Sequence, residues 1–119
     1  MVVDGTYAYV ASNKVNESLV VVDASDLAAP VVAANLDVGQ RGFHVIKDGD
    51  YLYMGIQSNT NGLSIIDVST PTSPSLVSTL DVGGWGTDPS ISGNSLYMGS
   101  TGDTDLHVID MINKSAPSI

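Results

Sequence analysis

The sequence predicts an all-β fold built from a four-stranded antiparallel unit that repeats every 44 residues. Tyr9, Tyr53 and Tyr97 lie 44 residues apart, and the run LDVG at 36–39 returns unchanged at 80–83. Hydrophobic and polar residues alternate over short stretches rich in β-branched side chains, and no helical period of about 3.6 persists. A period of this length is typical of stacked or radial repeat arrays, so the repeat sets the frame for every other motif.

The second copy shows the unit most clearly, as four predicted strands. In chain order they read FHVIK, DYLYMGI, GLSIIDV and PSLVSTLDV. Asp48-Gly49 separates the first two strands, and Asp-Gly between hydrophobic runs is a strong signal for a tight hairpin. The segment between the third and fourth strands contains Asp67, Ser69 and Pro74. Asp-x-Ser predicts an Asx-type turn, and proline suits the start of an outer strand.

Four antiparallel strands in each of several such repeats indicate the blades of a β-propeller. The expected single domain spans 1–119, with blades at 1–39, 40–83 and 84–119. The chain holds about 2.7 blades, whereas a closed propeller needs roughly four to eight. We therefore expect a fragment of a longer chain, with self-association into a ring and a short open array as alternatives. A β-sandwich is less favoured because it does not explain the strict period.

The composition narrows the classes of partner. The formal net charge is −9, with twelve Asp, one Glu and four Lys or Arg, so no nucleic-acid partner is expected because phosphate contacts need a basic face. An acidic solvated surface is the simplest interpretation, with calcium binding or a high-salt habitat as the alternative. No apolar run reaches the roughly 20 residues of a membrane-spanning helix, and no signal peptide is visible. Cysteine is absent, which excludes disulfides and thiolate metal sites.

The segments that differ between copies indicate where recognition would occur. In a four-stranded meander, the loops between the second and third strands share one end with the connections between blades, and varied loops on a repeated scaffold are usual places for binding. Arg41 and His44 lie at the entrance of the second blade, and Trp85 and Asp88 hold the equivalent positions in the third. We predict these four as ligand-binding residues. A structural role stays open for His44, as does packing against a neighbouring blade for Trp85.

Metal and catalytic signals are weak. Asp103 and Asp105 place two carboxylates in one polar loop, but calcium needs about six to eight oxygen ligands. They are candidate calcium ligands, and no other cofactor is predicted. No serine nucleophile elbow, phosphate-binding glycine loop or zinc signature is present, so no catalytic residue is predicted.

Several segments of the repeats also resemble those of known repeat families. YAYVA, SLVVVDASD, GLSIIDVSTPTSPSLVSTLDVGG and LHVIDM together resemble the LVIVD-repeat family of bacterial and archaeal propeller proteins, and YVASNKVNESLVVVD is similar to YVTN-type surface-protein repeats. The first copy departs from the pattern at Leu27, where the second has Pro71. The resemblance implies a propeller in a secreted or cell-surface protein and says little about activity, because these families are defined by structural repeats.

The expected function is therefore that of a binding or interaction module whose variable loop face recognises a protein or a carbohydrate. The remaining blades of the same chain, or further copies of it, are expected partners too. The alternative is an enzyme with its site in the channel of a complete propeller, either a calcium-dependent lactonase or hydrolase or a quinone-linked dehydrogenase. An acid or histidine cluster at the blade entrances would distinguish the enzyme from the binding module.

Overall fold

The computed structural model describes residues 1–102 and 106–119, and within these ranges the chain forms eleven strands and no helix. The strands form three antiparallel sheets in chain order. The first sheet comprises β1 (Val2–Asp4), β2 (Tyr7–Lys14), β3 (Glu17–Asp23) and β4 (Val31–Leu36). The second comprises β5 (Arg41–Asp48), β6 (Tyr51–Gln57), β7 (Leu63–Asp67) and β8 (Ser75–Leu80). The third comprises β9 (Gly86–Ser92), β10 (Ser95–Ser100) and β11 (Leu106–Asp110).

These sheets confirm the prediction of an all-β fold made of incomplete β-propeller blades. Each sheet is a meander in which successive strands are neighbours. A bridge between Asp110 and Ser118 adds a short outer contact beside β11, where the sequence predicts the start of a fourth strand. Among the described residues there is no helix long and apolar enough to cross a membrane.

The hairpins between the first two strands of each sheet follow the predicted turn chemistry. Gly49 follows β5 directly with a φ of 56°, and Asp50 completes the two-residue loop before β6. Among the described residues only glycines have a positive φ, so positive φ at the first loop position alone indicates a type II′ turn. Gly5 has a φ of 59° at the same place in the first sheet. A side chain there would be strained, which explains the repeated glycine.

The Asx-type turns between the third and fourth strands also form as predicted. The Ser25 N–H donates to Asp23 Oδ1 at 2.9 Å, and the Ser69 N–H donates to Asp67 Oδ1 at 2.8 Å. In the third sheet Asp110 Oδ1 accepts from the N–H of residue 112 at 2.9 Å. Each carboxylate satisfies a backbone donor as the chain leaves the sheet, so these repeated aspartates have a structural role.

The hydrophobic core lies between the sheets, in two layers. Because side chains alternate across a strand, the middle sheet presents one apolar set to each neighbour. Leu52, Met54 and Ile66 pack towards the first sheet, and Tyr53 and its neighbours pack towards the third. The first layer is completed by residues of the first sheet, chiefly Tyr9, Leu19 and Val21. The second layer comprises Tyr53, Leu63, Ile65, Val82, Leu96, Met98, Ile109 and Met111.

Tyr53 lies at the centre of the second layer and is fully buried. Burial, with a smaller contribution from Asp48, raises the pKa of its hydroxyl group to about 12. The hydroxyl oxygen has no hydrogen-bond partner among the described residues. Tyr53 therefore contributes to stability through the packing of its ring, because an unpaired buried hydroxyl is unfavourable.

The inner strands approach the preceding sheet at two equivalent glycines. A Cβ atom on Gly42, in β5, would lie 2.6 Å from the carbonyl oxygen of Ser18 in the first sheet. A Cβ atom on Gly86, in β9, would overlap the carbonyl oxygen of Gly62 in the second. Gly42 and Gly86 are 44 residues apart, as are Ser18 and Gly62. The same backbone contact therefore joins both pairs of sheets, and it requires glycine on the incoming strand.

The first prediction concerns this contact. Gly86→Ala should lower the free energy of unfolding by about 1–3 kcal/mol, because the added methyl group forces the two backbones apart. Chemical denaturation monitored by tryptophan fluorescence measures the change. Ser90→Ala is the matched control, since Ser90 lies exposed on the same strand and its substitution leaves the Gly86 contact intact, so stability should change by no more than about 0.5 kcal/mol. Equal stability of Gly86→Ala and the wild type would contradict the role of the contact.

The second prediction concerns acid stability. Hydrogen bonds from the Ser25 N–H and then its hydroxyl lower the pKa of Asp23 below its ordinary value of 3.8, and Ser69 acts in the same way on Asp67. Because the carboxyl pKa is lower in the folded than in the unfolded chain, this stabilisation is complete above the unfolded-state value and is lost as the pH falls through the folded-state value.

Asp67→Asn separates the carboxylate charge from the turn, because asparagine keeps the acceptor oxygen and has no titrating carboxyl group. Denaturant unfolding at a series of pH values below about 6 should show a smaller loss of unfolding free energy below about pH 4 in this variant than in the wild type. Identical pH dependence in the two proteins would show that the Asp67 carboxylate does not contribute.

Candidate functional site

A pocket opens at the end of the sheets where the sequence places the variable loops. Its volume is about 440 Å³. Its wall comes from the β2–β3 and β6–β7 loops and from the two connections between sheets. The lining residues are Val15, Gln40, Arg41, Gln57, Ser58, Asn59, Thr60 and Trp85. Two of the four predicted ligand-binding residues, Arg41 and Trp85, thus share one cavity.

Arg41 begins β5 and lies opposite Gln57 in the β5–β6 ladder, which fixes its backbone at the pocket rim. Its side chain is exposed and forms no ion pair with any residue that the structure describes. Among the residues that the structure describes, no aspartate or glutamate lines the pocket. The guanidinium group therefore adds a positive charge, with five N–H donors, to a lining whose other described residues are uncharged.

The lysines are engaged elsewhere. Lys14 contacts Glu17 Oε2 at 2.9 Å, and Lys47 contacts Asp4 Oδ2 at 2.7 Å. The ammonium group of Lys114 lies over the ring of Tyr51, 5.2 Å from its centroid. Every lysine thus has an anionic or aromatic neighbour, and Arg41 differs from them in this respect.

Trp85 lies in the connection between β8 and β9, and its backbone is fixed by Thr101. The Trp85 N–H donates to Thr101 Oγ1, and the Thr101 N–H donates to the Trp85 carbonyl oxygen, both at 3.1 Å. The indole ring is half-buried, and its centroid lies 6.1 Å from that of Phe43 at an interplanar angle of 46°. The two rings form an aromatic corner across the boundary between the second and third sheets.

His44 and Asp88 face each other across the same boundary, on β5 and β9. His44 Nδ1 and Asp88 Oδ1 are 3.6 Å apart, and the side chains are 49% and 79% exposed. Neither residue lines the pocket. Water screens a contact this open, so it contributes little to stability and leaves both groups accessible from solvent.

The β6–β7 loop holds its shape through Ser58, whose Oγ accepts hydrogen bonds from the N–H groups of Thr60 at 3.3 Å and Asn61 at 3.2 Å. Ser18 fixes the β4–β5 connection in the same way. Its Oγ–H donates to the Gln40 carbonyl oxygen, and its Oγ accepts from the Val38 N–H at 3.1 Å. Hydrogen bonds within the chain therefore hold the polar wall of the pocket in place before any ligand binds.

The sequence indicated Arg41, Trp85 and the loops of this wall, but none of the other lining residues individually. Gln57, Asn59 and Thr60 belong to a segment recognised only as variable, and Phe43 received no role. The sequence did contain a local indication of a role for Phe43, because it lies between Gly42 and His44 at a blade entrance. Its contact with Trp85 joins residues 42 positions apart and could not be seen without the fold.

The two weak candidates for calcium, Asp103 and Asp105, lie outside the described residues, so their placement stays a prediction. Elsewhere in the chain, across 1–102 and 106–119, no three His, Cys, Asp or Glu residues come together in a group that could hold a metal ion.

The comparison with protein families agrees with the architecture. The LVIVD repeat matches three times, at residues 1–38, 45–82 and 83–119. These matches coincide with the three sheets and together cover nearly the whole chain. No curated protein matches it. With one repeat to each sheet and the same backbone contact at both joints, the chain belongs to the LVIVD repeat family.

Proposed function

We propose that this chain is a recognition module that binds a carboxylate-bearing saccharide in the pocket between Arg41 and Trp85. One observation carries the proposal: an arginine without an ion-pair partner among the described residues and a half-exposed tryptophan line the same cavity, in which no described residue carries a carboxylate. The family resemblance supports a setting outside the cytoplasm or on the cell surface, where such saccharides are exposed.

The aromatic corner suits the apolar face of a sugar ring. Trp85 and Phe43 present a large, rigid apolar surface at a low cost in side-chain entropy. Phe43 is 44% exposed although it is a large hydrophobic residue, and it lies beside a polar cavity. A ring that stacks there buries aromatic surface which the protein alone leaves in water, and this burial favours binding.

The polar wall suits hydroxyl groups and one carboxylate. The side-chain amides of Gln40, Gln57 and Asn59 each offer both donors and an acceptor, which matches the hydroxyl groups of a sugar. Arg41 offers the planar fork of donors that pairs with a carboxylate through two parallel hydrogen bonds. The pocket therefore combines a stacking platform, hydroxyl partners and a single anion partner.

The net charge limits the ligand to few anionic groups. A formal charge of −9 repels polyanions from most of the surface, whereas the Arg41 pocket is locally positive. Repulsion between exposed charges fades beyond a screening length of about 8 Å at physiological salt. A saccharide with one carboxylate at its bound end fits this field better than a uniformly charged polymer.

The third prediction tests the charge. The probe is the methyl glycoside of galacturonic acid, which carries one carboxylate, compared with the methyl ester of the same compound, which keeps the shape and removes the negative charge. Isothermal titration calorimetry should show binding of the acid and at least about tenfold weaker binding of the ester, because a hydrogen bond to a charged group contributes about 1.5–3 kcal/mol. Arg41→Gln should remove this preference, and Trp85→Ala should weaken binding of both probes.

Lys47→Gln is the matched control, because it removes one positive charge at the opposite end of the sheets, where Lys47 contacts Asp4. Its affinity for the acid should equal that of the wild type. Equal affinity of the wild type for acid and ester would contradict the role of Arg41. Unaltered binding in both Arg41→Gln and Trp85→Ala would place the site elsewhere.

A second function, catalysis in the channel of a complete propeller, is favoured by the contact between His44 and Asp88. A histidine beside a carboxylate at a blade entrance is the acid–base pair that such an enzyme would need. The two functions make different demands on these residues, because His44 and Asp88 lie outside the pocket lined by Arg41 and Trp85.

The fourth prediction uses this difference. His44→Gln should leave saccharide affinity unchanged within about twofold, because His44 does not line the pocket, although its ring stacks with that of Phe43 at a centroid distance of 6.0 Å. The same variant and the wild type are then incubated with lactone and ester substrates, with and without calcium. Turnover by the wild type that disappears in His44→Gln would establish the catalytic function in place of the binding function.

A further inference from the structure

The outer side of the third sheet exposes hydrophobic residues that its counterparts bury. Tyr97, Leu106 and Val108 are 40%, 61% and 49% exposed. The equivalent residues of the first two sheets, at the same place in the repeat, are at most 1% exposed. These are Tyr9, Leu19 and Val21 in the first sheet and Tyr53, Leu63 and Ile65 in the second. Tyr97 pairs with Val108, so the exposed set forms one patch, the third-sheet face.

The opposite side of the first sheet is a second unpartnered surface. Val3, Ala8, Val22 and Val32 form one row across all four strands, and Val3 and Val32 are both 62% exposed. Val10 and Val20 pair beside this row and point to the same side. This set of six aliphatic residues is the first-sheet face.

The two faces correspond to the two apolar sides that pack together at both internal joints, although β1 (Val2–Asp4) has no residue equivalent to Gly42. At each internal joint, the Tyr-Leu-Val side of one sheet packs against the other side of the following sheet. In the middle sheet that other side carries Leu52, Met54 and Ile66. One repeat earlier in the sequence, the same positions are Ala8, Val10 and Val22, on the first-sheet face.

We propose that a second copy of this chain docks head to tail, with its first-sheet face against the third-sheet face of its neighbour. The internal joints support a second copy as the partner. Within the chain, the surface equivalent to the third-sheet face already packs against the surface equivalent to the first-sheet face. The contact is heterologous, so each docked copy leaves one further face of each kind available for the next.

The sizes of the side chains and the net charge of each copy determine the strength of this contact. Ala8 and Val10 are smaller than Leu52 and Met54, so the joint between copies fills less well than the internal joints and is weaker. Each copy carries a formal charge of −9, so the two copies repel each other. Association should therefore strengthen as salt screens this repulsion.

The fifth prediction follows from the pairing of unlike faces, and sedimentation velocity tests it. The wild type should form concentration-dependent species larger than a monomer, favoured by added salt. Leu106→Lys alters the third-sheet face, and the double variant Val3→Lys/Val32→Lys alters the first-sheet face. Each should weaken self-association more than about tenfold, because docking would bury an unpaired ammonium group. All three altered residues are exposed, and circular dichroism verifies that the variants fold.

Mixing the two variants gives the decisive measurement. Each variant keeps the face that the other has lost, so an equimolar mixture should form one-to-one dimers and nothing larger. Leu76→Lys is the matched control, because Leu76 is a 42% exposed leucine on the outer strand of the middle sheet and should have no effect. Arg41→Gln should also associate normally, which keeps this test independent of saccharide binding.

Two results would overturn the proposal. A wild type that stays monomeric at every concentration and salt level would show that the faces do not join. Self-association lost in Leu106→Lys but retained in Val3→Lys/Val32→Lys would show that two third-sheet faces meet each other, which is an isologous contact.

Discussion

The close backbone contact between neighbouring sheets is the constraint on which the rest of the structure depends. Each sheet is apolar on both sides, so it is stable only when other sheets cover it. At the inner edge the strands come so near that Gly42 and Gly86 face a backbone carbonyl group with no room for a side chain. On the adjacent second strands, larger residues such as Tyr53 and Met98 fill the space between sheets, and Met98 borders Gly86 directly. The sheets thus approach most closely where the glycines lie.

This contact also positions two residues of the candidate site, Arg41 and Trp85. Arg41 immediately precedes Gly42, and Trp85 immediately precedes Gly86, so each residue is held beside a glycine that is fixed against the preceding sheet. The same structural position therefore carries an arginine in one repeat and a tryptophan in the next. Repetition keeps the backbone constant while the side chains at the blade entrances vary, and a cavity between repeats can then combine unlike chemistries.

How much the sequence predicts depends on how local the cause is. The hairpin at Gly49 and the turn at Asp67 follow from residues within three positions, and both were correctly predicted. The glycine contacts and the approach of Phe43 to Trp85 join distant residues, so the repeat alone did not reveal them. Tyr97 shows that position in the repeat does not by itself predict burial. The repeat predicts that Tyr97 packs like Tyr9, yet Tyr97 is exposed because no neighbouring sheet covers it.

The acidity of the chain has a structural origin that bears on its function. Six of the aspartates that the structure describes, spread over all three repeats, accept hydrogen bonds from backbone N–H groups two residues later: Asp23, Asp26, Asp37, Asp67, Asp81 and Asp110. These aspartates therefore contribute to the negative charge of the chain while they stabilise its turns. Among the described residues that line the pocket, only Arg41 carries a formal charge, and it lies within an otherwise acidic surface. The turns that shape the loops therefore also contribute to the electrostatic field around Arg41, on which the recognition proposed above depends.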